Sequence, residues 1–456
     1  MGTLGVKATI RPGNEARQRA LAPAKAFPLP KQGLELDRSW AGKLAYGGLL
    51  LFIITYYIRP TDWYPVAARI PFGKITAFLA LAGLALVLLE RGGILHLPKE
   101  IIAVVLLFGH LCLTIPFAAW RGGSFQVVVI DFSKVVAITV SLAVVVTTMA
   151  RLRKLLFVQA ATLTAMAMLS AIGGNRLVLP GEAFGNRVTG VEGGVFENPN
   201  DFAFMIALAL PLCFAFMLRT SRPLRKAFWA VGLVLMVYTV MTTYSRGGLI
   251  ALLVGAGVTL WEFGVKGRRH HLILLSALAG IFLIVAGHPA NYAERVKTIF
   301  DPDSDPTGSS QARRDMFYQS VEMTLEHPLL GVGPGNFENT SGTWHVTHDT
   351  YTQLSSEAGI PALLLFLIVL WLAFSKVRLA QRMVPRQSEL GLFASALHAS
   401  LASFVVGAFF SSTPYQFFPY FLIGFATAAY QIALLEQGQQ SPPTVARVGT
   451  LKWGWR

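Results

Sequence analysis

Three polar residues in an otherwise apolar chain carry side chains that could do chemistry: Arg246, Arg313 and His348. A neutral imidazole accepts a proton from a hydroxyl near pH 7, and His348 is followed directly by Asp349. A guanidinium group binds anions through paired hydrogen bonds. These residue types suit proton transfer from a hydroxyl and the binding of an anion, whereas a purely structural histidine is the alternative for His348.

Arg246 lies in a very short turn, residues 244–248, between two apolar runs. Such a turn places the guanidinium at or below the membrane surface, where an uncompensated arginine costs up to about 2.5–3.5 kcal/mol. The sequence therefore predicts either an ion pair with an internal carboxylate or a cavity that binds an anionic ligand. We favour the cavity, because Gly247 and Gly248 leave room for close approach.

Arg313 stands near the start of a predicted helix, residues 312–326. It shares one helical stripe with Phe317, Val321 and Leu325, which follow at intervals of four. This pattern predicts a helix across the mouth of a membrane cavity, or an ordinary amphipathic helix with a snorkelling arginine.

A further candidate binding segment precedes the apolar run that begins near residue 201. Pro199 disfavours helix at the residue before it, so Asn200 or Asp201 is predicted to cap the helix. Free amide groups at a helix start can bind an anion, and Arg187 is close in sequence. A capped re-entrant loop without a ligand is the alternative.

The stretch that begins at His348 and Asp349 opens a short predicted helix. It runs through Tyr351 to Glu357, and Gly359 ends it before the next apolar segment. This places His348 at the membrane edge, next to the carboxylate of Asp349.

Two other polar stretches are interpreted without a ligand. The carboxylates of Asp301, Asp303 and Asp305 alternate as in a calcium loop, but the twelfth position is Ala312, so a solvated loop is predicted. The glycine-rich residues 331–337 follow no predicted strand, which excludes a dinucleotide loop. No metal-binding motif is present, and neither a metal nor a cofactor is expected.

A bundle of membrane helices must position these residues. The chain has 456 residues, of which 54% are hydrophobic and 14% charged. Apolar segments of about 17–25 residues, long enough to cross a bilayer as a helix, repeat along it. We predict an all-α integral membrane protein with about twelve transmembrane helices: 44–59, 72–89, 100–119, 125–149, 155–172, 201–218, 227–244, 247–263, 271–287, 358–375, 390–411 and 417–435.

The distribution of charge predicts the orientation of these helices. With the N-terminus inside, the inner segments hold 27 of the 39 Lys and Arg residues but only 8 of the 24 acidic residues. Both termini are therefore predicted to be cytoplasmic, and no cleavable signal peptide is expected. The predicted parts are a basic segment 1–43, nine spans within 44–287, a large outer loop 288–357, three spans within 358–435 and a tail 436–456.

The net charge of +15 is explained by anchoring next to anionic membrane lipid, so nucleic acid is not expected as a partner. Cys112 and Cys213 fall within predicted spans and are interpreted as packing residues.

Five short motifs follow one another along the chain: Phe196 to Asn200, Tyr244 to Gly248, Arg313 with Phe317, His327 to Phe337, and His348 and Asp349 with Glu357 and Gly359. In this order they resemble the O-antigen ligase and O-antigen polymerase superfamily of bacterial membrane glycosyltransferases. The resemblance extends from the first span to about residue 430. This sequence departs from the family pattern at Asp349, where asparagine is frequent, and at Phe317, where tryptophan is common.

The resemblance implies a helical glycosyltransferase fold with its site at the periplasmic face of the bacterial inner membrane. The implied donor is a glycan on undecaprenyl diphosphate, transferred to an acceptor hydroxyl with inversion and without a nucleotide sugar or metal. Arg246 and Arg313 would clamp the diphosphate, and His348 would orient or deprotonate the acceptor. The substrate-binding candidates are Arg187, Asn200, Asp349, Tyr351 and Glu357.

The sequence leaves three acceptors open. A sugar of the lipid A core is placed first and would make the protein an O-antigen ligase. The alternatives are a second lipid-linked glycan, which would make it a polymerase, and a protein Ser or Thr, which would make it a protein O-oligosaccharyltransferase. A secondary transporter is the alternative from another class. Asp131 and Lys134, three residues apart in one span, could then line a path, although a structural ion pair inside the bundle is favoured.

Overall fold

The structure, a computed structural model, describes residues 38–59, 67–90, 97–173, 176–177, 187–190, 196–286, 292–305, 308–343 and 345–440. The helices are α1 Trp40–Ile58, α2 Phe72–Glu90, α3 Lys99–Thr114, α4 Arg121–Val145, α5 Met149–Gly173, α6 Pro199–Arg219, α7 Pro223–Thr242, α8 Arg246–Val265, α9 His270–Ala286, α10 Tyr292–Phe300, α11 Ser309–Glu326, α12 Phe337–Ser341, α13 Thr350–Met383, α14 Glu389–Gly407 and α15 Phe417–Gln440.

Short elements complete the described chain. Two strands, β1 Arg176–Leu177 and β2 Arg187–Val188, pair antiparallel between α5 and α6. Both α4 and α8 include a π-helical stretch, Gln126–Phe132 and Leu260–Val265 respectively. Single 3-10 turns are formed by Ala67–Arg69, Ile115–Phe117, Pro302–Ser304 and Ala408–Phe410.

Eleven of the described helices are long and apolar enough to cross a membrane, which confirms the predicted all-α membrane class. They correspond to eleven of the twelve predicted spans. The remaining one, 271–287, is α9, an apolar helix of 17 residues. Its length of about 26 Å is slightly less than the roughly 30 Å of a hydrocarbon core. The predicted count of twelve therefore depends on α9 crossing as a short span.

Helix α6 lies at the centre of the bundle, packed against α5, α7, α8 and α14. Its sequence from Phe202 to Met217 is apolar on every side, and all of these residues are buried. A helix that is apolar all round has to be surrounded by other helices. The first turn of α6 therefore emerges from the middle of one end of the bundle.

The longest helix, α13, consists of two helical pieces joined at Gly359, whose φ is 81°. A Cβ at this position would lie 2.4 Å from the backbone of Leu329, so glycine is required. The break leaves the carbonyl of Ala358 to accept a hydrogen bond from Nε2 of His110 at 2.8 Å. The predicted helix end at Gly359 is thus a kink, and the piece before it packs against α11.

The structure also decides two smaller predictions. Cys112 and Cys213 are free, and Cys213 is buried, as expected for packing residues. Asp131 and Lys134 do form an ion pair of 3.0 Å, but their side chains are 54% and 43% exposed, so the prediction of a pair inside the bundle is wrong. Most of the segment 1–43, residues 60–65 and residues 441–456 lie outside the described residues.

Candidate functional site

A cavity of about 300 Å³ opens at the end of the bundle where α8, α11 and α13 begin. Arg246, Arg313 and His348, which are far apart in the sequence, all line it. The other lining residues are Ile250, Thr298, Ile299, Ser310, Arg314, Phe317, Thr347, Asp349, Phe409 and Phe410.

The turn that presents Arg246 is held by two other arginines. Nε of Arg187 donates to the carbonyl of Thr243 at 2.8 Å, and Nε of Arg295 donates to the carbonyl of Tyr244 at 3.2 Å. Cations are favoured there, because the carbonyl groups that end α7 carry partial negative charge. Tyr244 adopts a φ of 51°, a strained value that persists only where surrounding contacts enforce it. The start of α8 is therefore fixed in place.

The guanidinium of Arg246 is already engaged within the protein. Its Nη2 lies 3.1 Å from Oδ2 of Asp305, and its Nη1 donates to the carbonyl and the hydroxyl of Thr298 at 3.3 and 3.2 Å. Nη1 also donates to Oγ of Ser310. Arg246 thus has the carboxylate partner of the first alternative and also lines a cavity, while the binding of an anion there stays a prediction.

Asp305 does not belong to a solvated loop, and that prediction is wrong. Its side chain is only 1% exposed and pairs with Arg295 at 2.9 Å as well as with Arg246. It also accepts hydrogen bonds from the backbone N–H and the hydroxyl of Ser310. The neighbouring Asp303 does behave as predicted, with a side chain that is 76% exposed. Asp303 and Asp305 have the same local sequence pattern, but only Asp305 is buried in the folded protein.

Arg313 makes neither a hydrogen bond nor an ion pair within the described part of the chain. Burial, followed by the nearby charges of Arg246, Arg187 and Arg295, lowers the pKa of Arg313 to about 10, and Asp201 partly opposes this. The guanidinium is still protonated at pH 7. A partly buried cation surrounded by other cations favours an anion in the cavity beside it.

The apolar stripe predicted for the helix of Arg313 is wrong in detail. Phe317 and Leu325 are 44% and 71% exposed, whereas the buried positions of α11 are Met316 and Ser320. The helix begins at Ser309, three residues earlier than predicted, because Asp305 supplies a hydrogen-bond acceptor for its first turn.

His348 lies in the cavity wall with a φ of 54°, the left-handed region that is strained for a histidine. Burial, followed by the charges of Arg313 and His345, lowers its pKa to about 4. The imidazole is therefore neutral at pH 7 and can accept a proton. Its ring forms no hydrogen bond among the residues that the structure describes.

Asp349 caps α13 and faces the same cavity. Its Oδ1 accepts hydrogen bonds from the N–H groups of Tyr351 and Thr352, at 2.8 and 3.3 Å. Burial raises the pKa of Asp349 to about 6, although these two bonds oppose the rise. The cap explains why a short-chain acidic residue follows His348: it fixes the backbone that holds the imidazole.

Arg187 and Asn200 contact each other at 3.0 Å but are not among the residues that line the cavity. The predicted helix cap is wrong: Asn198 caps α6, accepting from the N–H of Asn200, and Pro199 is its first residue. Proline suits that position because its missing N–H has no partner in a first turn. The pair joins the β2 strand to the start of α6, and Arg187 supports the turn of Arg246.

Tyr351 and Glu357 do not line the cavity either, and the structure gives both a supporting role. The hydroxyl of Tyr351 donates to the carbonyl of Val405 at 2.7 Å on α14. Glu357 is 2% exposed and accepts hydrogen bonds from Tyr415 at 2.9 Å and from the N–H of Phe337 at 3.4 Å. Substrate contact by these two residues stays a prediction, and the contacts seen in the structure are structural ones.

Glu357 anchors the glycine-rich loop 331–337. Gly331, Gly333 and Gly335 have φ of 65°, 101° and 76°, and the N–H of Gly333 donates to the carbonyl of Glu357 at 2.8 Å. A Cβ on Gly331 would lie 2.2 Å from the backbone carbon of Glu357. The glycines of this loop permit close packing on α13.

The anchoring role of Glu357 leads to a stability prediction. Glu357→Gln replaces an acceptor with an N–H₂ group that faces donors, so we expect the free energy of unfolding to fall by about 1–3 kcal/mol. Thermal unfolding of the purified full-length protein in detergent measures this loss. The matched control is Glu338→Gln in α12, where the side chain is only partly buried and less change is expected. An unchanged midpoint for Glu357→Gln would contradict the anchoring role.

Sequence reasoning missed Arg295 and Asp305 as members of the site. Arg295 bonds to Tyr244 and Asp305 to Arg246, and a single sequence does not identify such distant partners. The amphipathic pattern of the short helix α10 was the one available signal for Arg295, which the structure shows to be 7% exposed. A buried arginine requires an acidic or carbonyl partner nearby.

Chemically, the cavity suits an anion attached to an apolar group. Arg246, Arg313 and Arg314 supply positive charge, and Ile250, Ile299, Phe409 and Phe410 supply an apolar wall. The neutral imidazole of His348 stands in the same wall as a proton acceptor. Such an arrangement can hold a charged leaving group and activate a hydroxyl beside it.

Comparison with known families agrees with this geometry. Residues 231–367 match the sequence profile of a family described as O-antigen ligase. The matched segment contains Arg246, Asp305, Arg313 and His348. A search of curated proteins found no match to the chain. The segment that forms the cavity is therefore similar to O-antigen ligases, in a chain whose described residues include eleven helices able to span a membrane.

Proposed function

We propose that the protein transfers a glycan from undecaprenyl diphosphate to an acceptor hydroxyl, with a sugar of the lipid A core as the first candidate acceptor. One observation carries this proposal: Arg313, His348 and the charge of Arg246 converge on one cavity within the segment that matches O-antigen ligases. The match to the O-antigen ligase family supports the coarse activity, a ligase- or polymerase-type glycosyl transfer.

The cavity fits the proposed donor. A lipid diphosphate is an anion joined to a long apolar chain, and the lining joins arginine side chains to Ile250, Phe409 and Phe410. Because the N–H groups of Arg313 have no internal partner within the described residues, they are the first candidates for direct contact with the diphosphate. Arg246 is held by Asp305 and contributes its positive charge from a fixed position.

The proposed reaction is a single displacement with inversion. The acceptor hydroxyl oxygen forms a bond to the anomeric carbon, and the bond from that carbon to the diphosphate oxygen breaks. The electron pair leaves with the diphosphate, whose growing charge the two arginines stabilise. The hydroxyl proton passes to the neutral imidazole of His348. The positive charge of the arginines stabilises the leaving diphosphate, and neither a nucleotide sugar nor a metal ion takes part.

The other predicted residues receive supporting roles. Asp349 holds the backbone of His348 by capping α13, and Arg187 with Asn200 supports the turn of Arg246. We place the cavity at the periplasmic face of the bacterial inner membrane with both termini in the cytoplasm, on the basis of the lysine and arginine distribution.

The proposal is tested with the full-length protein in liposomes that contain an undecaprenyl-diphosphate-linked glycan. Lipid A core, a second lipid-linked glycan and a Ser- and Thr-containing protein are offered as acceptors in separate reactions. We expect a mass increase of the lipid A core equal to the glycan, together with release of undecaprenyl diphosphate. Transfer only to the second glycan would identify a polymerase, and transfer only to the protein an oligosaccharyltransferase. Absence of transfer to all three acceptors would contradict the proposal.

A matching genetic test uses the surface glycans of a deletion strain. Loss of long chains from lipopolysaccharide, with accumulation of lipid-linked polymer, is the result expected of a ligase. Core that carries a single repeat would indicate a polymerase. An unchanged ladder would rule out both.

A further inference from the structure

We infer that Asp305 is a positioning residue for glycosyl transfer, which fixes Arg246 and the helix of Arg313 relative to each other. The inference rests on the proposed function. It assigns a role to a carboxylate that is buried behind the cavity and is not among its lining residues.

The first observation is a closed ring of contacts. Arg295 donates through Nε to the carbonyl of Tyr244 at 3.2 Å and through Nη1 to Oδ1 of Asp305 at 2.9 Å. Oδ2 of Asp305 then pairs with Nη2 of Arg246 at 3.1 Å. Arg246 follows Tyr244 by two residues, so the ring holds both the backbone and the charged head of Arg246. Because both its backbone and its guanidinium are held, Arg246 cannot change rotamer without breaking the ion pair with Asp305.

The second observation links the same carboxylate to α11. Oδ2 of Asp305 accepts hydrogen bonds from the backbone N–H of Ser310 at 3.0 Å and from its hydroxyl at 2.8 Å. Ser310 lies in the first turn of the helix that carries Arg313 three residues later. Asp305 therefore holds one end of α11 and the head of Arg246 with a single oxygen atom.

Burial makes this connection rigid. The side chain of Asp305 is 1% exposed, and those of Arg246 and Arg295 are 10% and 8% exposed. Charged hydrogen bonds are strong where water is excluded, and removal of one partner leaves the others uncompensated. Two cations share one carboxylate here, so the local charge stays positive and the cavity still favours an anion.

The test measures donor kinetics for Asp305→Asn in the liposome assay, with the acceptor that the wild-type protein uses. Misplacement of a charged group by about 1 Å lowers a rate by about 10–100-fold, so we expect kcat to fall by that factor. KM for the lipid-linked donor is expected to change less than about threefold, since an interaction that acts mainly in the transition state lowers kcat and kcat/KM together. Asp301→Asn, the same change at an exposed carboxylate of the same segment, is the matched control and is expected to keep the wild-type rate.

A mutant cycle distinguishes positioning from general support of the fold. If Asp305 acts through Arg246 and the helix of Arg313, Asp305→Asn lowers the rate of a protein that carries both Arg246→Ala and Arg313→Ala by less than about threefold, because coupled residues are not additive. The full 10–100-fold loss in that background would overturn the inference. So would a wild-type kcat for Asp305→Asn, or a raised KM with unchanged kcat.

Asp305→Glu covers the case in which Asp305→Asn does not fold. It keeps the charge but moves the carboxylate by one methylene, and we expect a kcat between those of the wild type and the Arg246→Ala protein. A full wild-type kcat for Asp305→Glu would overturn the inference. If the wild-type protein itself transfers no glycan, the proposed function fails, and this outcome is separate from any result on Asp305.

Discussion

Replacing His348 by alanine is expected to slow glycosyl transfer by about 10²–10⁴-fold, the usual contribution of a positioned general base. The imidazole lines the cavity, is neutral at pH 7 and forms no hydrogen bond in the described part of the chain. Without the imidazole, water has to accept the proton of the acceptor hydroxyl. Initial rates in the liposome assay measure the effect. His345→Ala, an exposed histidine three residues earlier, is the matched control and is expected to retain most activity; equal losses in the two variants would contradict a base role for His348.

The pKa of His348 gives this prediction a pH signature. The value of about 4 belongs to the protein without donor, so the acid limb of kcat/KM is expected near pH 4 and not near the ordinary 6.5 of histidine. A bound diphosphate places negative charge beside the ring and raises its pKa. The acid limb of kcat is therefore expected at higher pH than that of kcat/KM. Identical limbs for the two parameters would show that no anion binds beside His348.

The same shift has a consequence for stability. Between about pH 6.5 and 4 the unfolded chain binds a proton at His348 that the folded chain does not, so the contribution of His348 is complete above pH 6.5 and is lost as the pH falls. Asp349 has its pKa raised to about 6, so its own contribution has the opposite sign. The contribution of Asp349 is present in both wild type and His348→Gln, so it cancels when the two are compared. On acidification the free energy of unfolding of wild type is expected to fall more than that of His348→Gln.

The second large effect is expected for Arg313→Ala, which should lower kcat by about 10²–10³-fold, as the loss of one group that stabilises a developing anion does. Within the described residues Arg313 has no hydrogen-bond partner, so its N–H groups are available to the cavity, whereas Arg246 is already bonded to Asp305 and Thr298. We therefore expect Arg313→Ala to weaken binding of undecaprenyl diphosphate more than Arg246→Ala does. Binding of this lipid to the purified protein, compared with undecaprenol, measures the difference.

Two controls sharpen the Arg313 prediction. Arg225→Ala removes an exposed arginine from the start of α7, at the opposite end of the helix that leads to the turn of Arg246, and is expected to leave binding unchanged. Arg313→Lys keeps the charge but loses the planar pair of donors, so only partial activity is expected. Full activity of Arg313→Ala would remove this residue from the mechanism.

The sequence by itself determined the helical membrane class and most of the helix positions. Eleven predicted spans are present, the turn before Arg246 lies where it was expected, and the polar helix around Arg313 exists. These features depend on local properties: the length of apolar runs, the spacing of polar residues and the turn chemistry of glycine. The break at Gly359 belongs to the same group, since its φ of 81° excludes an ordinary residue.

Only the tertiary structure decided which polar residues act together. The predicted solvated loop contains the buried Asp305, the predicted ligands Tyr351 and Glu357 anchor helices and loops, and Arg187 supports a turn outside the cavity. Each outcome follows from a contact between residues that are distant in sequence, such as Arg187 with Thr243 or Glu357 with Tyr415. A carboxylate has the same local pattern whether it meets water or two guanidinium groups. Burial and pairing, which the packing of the whole bundle sets, determine its role.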